Sequence, residues 1–536
     1  MTAQNIRSSE PTAHSTSAQP EGHVPIRRPV VIASLVIVLA VALWGIITPV
    51  GAQAVLTVAV TATAEWFGWF FVLLAAVVLV FVIVLALRYP HIRLGGEDSR
   101  PEHSTFTWAC MLFAAGIGTD ILFFAVAEPI SQYMHPPQVE AQSLAAAEQA
   151  PVWTMFHYGL HGWGMYALMG IAMGYAAHRR GLPLAVRSTL QPLLGHRITG
   201  AAGHAVDVAT VVATLFGLAT SLGIGVVMLA AGFDELLGTG AGLGVQIALV
   251  VLAIIASTVS AISGVARGIK MLSQLNVLLS LLLCGWILVS GNTPFLLRAI
   301  VMDIGELIAL FPSMMMDTMA YDHPTDWMAA WTLFFWAWWI AWGSFVGMFL
   351  ARISKGRTIG EFVLGTLTIP FCYVVVWATI LGNRAIETIR VEGRVDLATL
   401  ADSAPEQALF ALLREHPMPT ALIALALVVG LLFYVTSADS GALVMANLSS
   451  ELDDPGTDAR PSLRLLWGVV TGVLTIAMLI VDGIPALQSA TIIMGLPFAF
   501  VMVLVMVSLA KALREEPHRG DGKAALRPDG AERSPC

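Results

Sequence analysis

The sequence predicts an all-α polytopic membrane protein with twelve transmembrane helices. Of its 536 residues, 57% are hydrophobic and 12% charged, which excludes an ordinary soluble domain. Apolar segments about 20 residues long, enough to cross a ~30 Å hydrocarbon core, recur along the whole chain. Lys and Arg gather on alternate connections between these segments, as expected of a chain threaded repeatedly through a bilayer.

Residues 1–26 are rich in Ser, Thr, Ala, Pro and Gln and lack the apolar core of a cleavable signal, so they read as a disordered cytoplasmic tail. Spans are expected near 30–50, 66–88, 105–128, 152–176, 205–232, 244–264, 272–291, 327–351, 359–382, 419–447, 464–481 and 487–511. Arg27 and Arg28 precede the first. Arg88 and Arg93 follow the second, and Arg179, Arg180, Arg187 and Arg197 the fourth. Arg267, Lys270, Arg352, Lys355, Arg357, Arg460, Arg464, Lys511 and Arg514 continue the same side. The short connections 135–151, 233–243 and 482–486 contain neither Lys nor Arg. Longer ones carry Arg298, Arg384, Arg390, Arg394 and Arg414, but long segments obey the charge rule less strictly, so both termini are placed in the cytoplasm.

The spans at 105–128 and 327–351 are expected to lose regular helix in their middles, at Gly116-Ile117-Gly118 and Gly343-Ser344. Paired interruptions in two halves mark inverted-repeat architectures, whose broken helices expose backbone at the bilayer midplane. The repeats would run from about 105 to 291 and from 327 to 511. Between them, 295–316 carries Arg298, Asp303 and Glu306 near a helical period and reads as an amphipathic linker helix at the outer surface. The polar stretch 383–418 reads as an external lid or short helix.

Trp336, Trp338, Trp339 and Trp342 crowd together in mid-span, where their rings face protein rather than headgroups. A wall of indoles suits a desolvated organic cation; packing against neighbouring helices is the other reading, and the run alone leaves both open. In the fourth span, taken as one helix, Tyr158, Trp163 and Tyr166 fall on an arc of roughly 140°, able to line a cavity that Trp339 closes. Asp120 is a carboxylate inside an apolar span, a costly placement that points to a pathway. It can attract a cation, bond a substrate hydroxyl or take up a proton. Glu128 reads as a helix-end or structural group, and His157 and His161 as satisfied interior groups. Asp439 reads as part of a hydroxyl network with its neighbours in Thr436-Ser437-Ala438-Asp439-Ser440. Cys110, Cys284, Cys372 and Cys536 are scattered and read as small packing residues. No metal-ligand cluster, nucleophile–base pair or ATP-binding loop is visible, which argues against an enzyme, a metal or a cofactor and leaves ion gradients as the source of energy.

The run Trp331-Thr-Leu-Phe-Phe-Trp-Ala-Trp-Trp-Ile-Ala-Trp342, continuing to Phe345-Val-Gly-Met-Phe-Leu-Ala-Arg-Ile-Ser354, resembles the signature of the betaine/choline/carnitine transporters (BCCT). The resemblance extends over about 27 to 512. Met111-Leu-Phe-Ala-Ala-Gly-Ile-Gly-Thr-Asp120, Phe124-Ala-Val-Ala-Glu-Pro129, Trp163-Gly-Met-Tyr166 and Phe433-Tyr-Val-Thr-Ser-Ala-Asp-Ser-Gly441 are similar to the family's proton-coupled, high-affinity choline transporters. The resemblance implies a LeuT-like 5+5 inverted repeat preceded by two extra helices, usually in a homotrimer. The chain would then comprise the tail 1–26, a transporter domain 27–512 and a short cytoplasmic tail 513–536.

The family's aromatic box would fall on Tyr158, Trp163, Tyr166 and Trp339, with Trp338 and Trp342 on the cytoplasmic side of the pathway. Asp120 and the backbone around Gly116, Ile117 and Gly118 would complete the substrate site. Choline would be imported with a proton through Asp120, where sodium-coupled betaine carriers have glycine. Sodium carriers also place two threonines one turn apart in the fifth span; this chain has Thr214 but Leu218. A residual sodium site would use Ala114, Ile117, Phe433, Thr436 and Ser437, so sodium is disfavoured but open. Gly343-Ser344 stands where the family commonly has Ser-Pro. The implied function is choline import across a bacterial inner membrane for osmoprotection and betaine synthesis. A sodium-driven betaine or carnitine carrier or exchanger, and a non-transporting osmosensor, are the competing readings.

Overall fold

The computed structural model describes residues 24–516 except Ile117, Gly264, Val265, Asp453 and Pro455; most of both expected tails, and Cys536, lie outside the described residues. The described chain is helical throughout. It opens with α1 (Arg28–Ile47) and α2 (Pro49–Arg88), each with proline in its first turn, where the missing N–H removes no helical bond. At 40 residues α2 is far longer than the span expected at 66–88. The polar residues that hid its first half are satisfied within the helix, because Thr57, Thr61 and Thr63 donate back to the carbonyls of Gln53, Thr57 and Ala59.

The third expected span is α3 (Thr105–Gly116) and α4 (Asp120–Met134), broken where the glycines predict it. The fourth, expected to be continuous, is also broken, into α5 (Leu144–His157) and α6 (Leu160–Gly174). Gly159 makes that break: its α-carbon lies so close to the Met155 carbonyl that a β-carbon there would collide with it. After a π-helical turn at Tyr175–Arg179 come the short α7 (Val186–Thr189) and α8 (Gln191–Leu194), then α9 (Ala201–Leu237), α10 (Leu243–Ser263) and α11 (Ala266–Ser290). At the end of α11 the chain turns by 117° into α12 (Thr293–Met314), the expected linker helix. Its Asp303 points inward, contrary to a simple polar outer face, and accepts from Asn383 Nδ2 at 2.6 Å. The exposed side instead shows Leu297, Val301 and Ile308.

The second half begins with α13 (Thr325–Ala330) and α14 (Thr332–Ile353). The interruption expected at Gly343-Ser344 is absent: α14 runs through it, and the break lies at Trp331, with φ −119° and ψ −90°. Without proline every N–H of the 343–344 turn stays available to the helix. Ser344 is held by a 2.7 Å hydroxyl–hydroxyl bond to Thr214 on α9. There follow α15 (Ile359–Arg390), which takes up the start of the expected lid, α16 (Val395–Ser403) and α17 (Ala408–Arg414). Then come α18 (Pro419–Leu448), α19 (Pro461–Val481) and α20 (Ile484–Arg514).

Among the described residues eight helices are long and apolar enough to cross a membrane, or nine if the bent α11–α12 pair is one span. The other expected spans fall on the broken α3–α4 and α5–α6 pairs and on the α10–α11 region. Of the candidate spans, α9 and the α13–α14 segment contain the most enclosed apolar stretches. Helix α14 is packed by α2, α6, α9 and α20, and α6 approaches it closely because Gly347 presents no side chain to Met169. Cys110 and Cys284 lie within helices, but Cys372 is exposed on α15 and is not a packing residue.

Candidate functional site

Two local features of the sequence create the site. The first is the glycine-rich break before α4, which delivers Asp120 as the first residue of that helix, where the N-terminal dipole favours a negative charge. The second is the aromatic face of α14. Trp338, Trp342 and Phe345 recur at spacings of four and three, one side of a 3.6-residue helix.

Gly118, Asp120, Tyr158, Tyr166, Trp338, Trp339 and Trp342 together line a small cavity. The free space among them is about that of a single water, well below the ~300 Å³ of usual small-ligand pockets, so a larger ligand requires the rings to move apart. All six side chains are buried. The rings meet mainly edge to face, the favoured arrangement for aromatic quadrupoles. Tyr166 and Trp339 are 4.9 Å apart at 62°, and Tyr158 and Trp339 6.1 Å at 83°. On one side Tyr158 meets Phe335 at 5.1 Å; on the other Trp342 meets Phe345 at 5.0 Å.

Two of the three indoles are fixed by hydrogen bonds, one of them offered by a helix break; Trp342 Nε1 has no partner among the described residues. The break after His157 leaves its carbonyl to accept from Trp339 Nε1 at 2.8 Å. Trp338 donates to the Gly217 carbonyl at 3.2 Å and stacks on Phe334 at 5.1 Å and 22°. Beneath Trp339 lies Gly162, where a β-carbon would overlap the ring. Each net hydrogen bond of this kind contributes about 1 kcal/mol, but together they leave Trp339 one position.

Asp120 is held far more loosely. Tyr158 Oη donates to Oδ2 across 3.5 Å, while Oδ1 rests against the bare α-carbon of Gly118 and has no partner among the described residues. A buried carboxyl with a free oxygen calls for a cation or a proton beside it. The cavity therefore combines a π-rich wall with one unmatched acidic group, a combination suited to an organic cation.

Of the residues expected at the site, Trp163 stands apart. It is fully buried and does not line the cavity; it lies behind the wall, 5.4 Å from Tyr166 and 6.1 Å from Trp339. The break at Tyr158–Gly159 defeats the 140° arc, which assumed one continuous helix. Gly116 ends α3, and Ile117 lies outside the described residues.

Of the residual sodium positions, Ala114 is in α3 and Phe433, Thr436 and Ser437 in α18. The Thr436 hydroxyl donates to Leu432 and Phe433 carbonyls of its own helix, at 2.8 and 3.0 Å. Ser437 faces Gly118, with its Oγ 3.7 Å from where a β-carbon of that glycine would stand. Leu218 fills the notch left by Gly441. Asp439 pairs with Arg464 at 3.0 Å, a partner its local hydroxyls did not suggest. His157 is satisfied as expected, but His161 is not. Neither of its ring nitrogens has a partner among the described residues, and the ring lies among Phe156, Phe311 and Trp336. The Gly217 carbonyl, which holds Trp338, carries no signal in the sequence because its role depends on a contact between distant helices.

Residues 29–518 match the family described as BCCT, betaine/carnitine/choline family transporter. The chain is 50% identical over 462 residues to the "High-affinity choline transport protein" of Escherichia coli (strain K12), covering 85% of this chain and 68% of that protein. It is 48% identical over 495 residues to the "Osmo-dependent choline transporter BetT2" of Acinetobacter baylyi, covering 92% and 72%. A "Glycine betaine transporter" of the same organism is 40% identical over 454 residues, covering 84% and 68%.

Proposed function

Because this chain belongs to the betaine/carnitine/choline family of transporters, and so is a membrane carrier rather than an enzyme, we propose that it imports choline by proton symport. The observation that carries the substrate reading is Asp120, whose Oδ1 has no partner among the described residues and which lines a buried aromatic cavity. Trimethylammonium lies against Tyr158, Tyr166 and Trp339, gaining about 0.5–2 kcal/mol from each well-placed ring. Trp338 and Trp342 close the cytoplasmic side, Trp163 backs the wall, and Asp120 with the Gly116–Gly118 backbone receives the cation or its hydroxyl. Betaine and carnitine bring carboxylates of their own, which Asp120 would repel; choline does not. The relatives named as choline transporters support the same substrate.

Symport requires proton and substrate to cross together, so we assign Asp120 the proton in the loaded state as well: the protonated carboxyl meets the choline hydroxyl while the rings hold the cation, and the proton is released on the cytoplasmic side. Leu218 and the self-bonded Thr436 favour the proton over sodium as the coupling ion. Supply of choline for osmoprotection accords with the name of the osmo-dependent relative. The architecture we propose is twelve spans, a LeuT-like 5+5 inverted repeat after two extra helices, in a homotrimer. It lies in a bacterial inner membrane with both termini and the tails 1–26 and 513–536 in the cytoplasm. Within the domain 27–512 the repeats are 105–291 and 327–511, joined by the linker helix.

A sodium-coupled betaine carrier is the second reading, favoured by Ser437 facing Gly118 and by the relative named as a glycine betaine transporter. Competition against radiolabelled choline bound to the purified transporter separates the two. Unlabelled choline displacing the label at least tenfold better than glycine betaine or carnitine supports the choline reading; equal or better displacement by betaine contradicts it.

A further inference from the structure

Beyond the cavity wall, three buried side chains from three helices form a run of bonds that ends on the wall. Glu128 on α4 and His157 at the end of α5 are fully enclosed, with Oε1 and Nδ1 2.5 Å apart. His157 Nε2 lies 3.0 Å from Thr332 Oγ1, in the first residue of α14. The imidazole is parallel to Phe335 within 2° at 4.9 Å, and Trp153 stacks near it at 5.7 Å. A carboxylate at Nδ1 sets the tautomer: Nδ1 carries the proton and Nε2 accepts from the Thr332 hydroxyl. The ring is thereby fixed in position and in plane.

What the ring fixes is the peptide of the helix break. The carbonyl of His157 accepts from Trp339 Nε1 at 2.8 Å, and the next residue in the chain is Tyr158. One side chain thus sets the backbone that presents one ring of the cage and anchors another. Glu128, His157 and Thr332 are themselves absent from the cavity wall. The network ties together α4 and α14, which carry Asp120 and Trp339, and the end of α5, which Tyr158 follows directly.

We infer that Glu128, His157 and Thr332 form a positioning network that acts on substrate through the His157 carbonyl and Trp339, without carrying the coupling proton. This rests on the reading of the cavity as a quaternary ammonium site. Its consequence is that hydrogen-bond geometry matters at Glu128, whereas its negative charge does not.

A double-mutant cycle on full-length transporter in proteoliposomes tests it. KM and Vmax are measured for wild type, His157→Leu, Trp339→Phe and the double variant, using whichever of choline, glycine betaine or carnitine the wild type accumulates. Trp339→Phe keeps a ring but loses the N–H that meets the His157 carbonyl. Each single change is expected to raise KM about tenfold with Vmax within about twofold, the scale of one buried hydrogen bond. The double variant is expected to be no worse than the more affected single, since both changes break the same link. Glu128→Gln and His157→Asn each keep one partner in the Glu128–His157 bond and should stay within about threefold of wild type. They carry the test if His157→Leu fails to insert.

Additive effects, about a hundredfold in the double variant, overturn the inference. So does a Glu128→Gln transporter that loses uptake driven by a pH gradient while retaining exchange, because that outcome makes Glu128 a proton carrier. Wild-type uptake with an additive cycle removes this inference alone. A wild type that accumulates none of the three compounds removes the substrate reading and this inference together.

Discussion

The Trp339 side of the cavity is held by a hydrogen bond, a bare glycine face and three neighbouring aromatic rings, whereas the Asp120 side rests on one 3.5 Å hydrogen bond beside a helix break. Chain connectivity explains the contrast. Trp339 sits in the middle of the enclosed α14, and its partners come from the adjoining α5 and α6. Asp120 begins α4 after the break, with the bare Gly118 against one carboxyl oxygen and the distant Tyr158 hydroxyl against the other. The difference suggests a division of labour: the rigid side recognises a quaternary ammonium by its shape and charge, and the loosely held side decides which such cation enters and what drives it.

The largest expected effect breaks the rigid side. Trp339→Leu removes the central ring and its bond to the His157 carbonyl, and should raise the choline KM by about thirtyfold or abolish uptake. Normal amounts of protein in the membrane must accompany the loss. Unchanged uptake would mean that the cage is not the binding site. Next, Asp120→Gly tests the loose side. The choline-to-betaine uptake ratio should fall by about tenfold, on the scale of one lost charge-assisted contact, and the pH dependence of uptake should flatten. An unaltered ratio and pH profile would remove both roles from Asp120. A finer probe is Tyr158→Phe, which keeps the ring and deletes only the long bond to Oδ2. Its effect on KM should be about threefold or less, and a loss matching that of Asp120→Gly would show that the hydroxyl is part of the binding chemistry.

A control outside the membrane-spanning segments gives the smallest effect. His416, in the turn between α17 and α18, contacts Ser290 Oγ at 2.8 Å through Nδ1 and accepts from Arg384 Nε at 3.4 Å. Burial, reinforced by the Arg384 charge, pushes its imidazole down from 6.5 to about 4. The unfolded chain therefore takes up the extra proton, and this part of the stability is lost as pH falls from about 6.5 towards about 4. The melting temperature of the purified protein should drop over that interval, and His416→Asn should make the drop shallower by a few degrees. Equal slopes would show that His416 does not contribute.

The helical, many-spanning character of the chain and most of the residues that line the cavity were legible because both depend on residue type and short spacing. Twenty-residue apolar runs, the Trp338–Trp339–Trp342 cluster and an aspartate inside a span all stand out locally. The helix breaks were read less well. Gly116–Gly118 lies at a real break, but Gly343-Ser344 is helical because glycine keeps its N–H, and Trp331 offers no warning of the interruption found there. Gly159 resembles any packing glycine until the Met155 carbonyl is seen against it. The His157–Trp339 link follows from that unforeseen break and joins residues 182 positions apart, so no local pattern could reveal it. Asp303 shows the same limit, since its charge spacing suggested an outward face while Asn383 on another helix draws it inward.

The most direct test of proton-driven choline import is uptake of radiolabelled choline into proteoliposomes under an imposed pH gradient without sodium, repeated with a sodium gradient alone. The account predicts accumulation under the pH gradient, collapsed by an uncoupler, and none under sodium alone. Accumulation that requires sodium would contradict it and move the coupling role to Thr436 and Ser437.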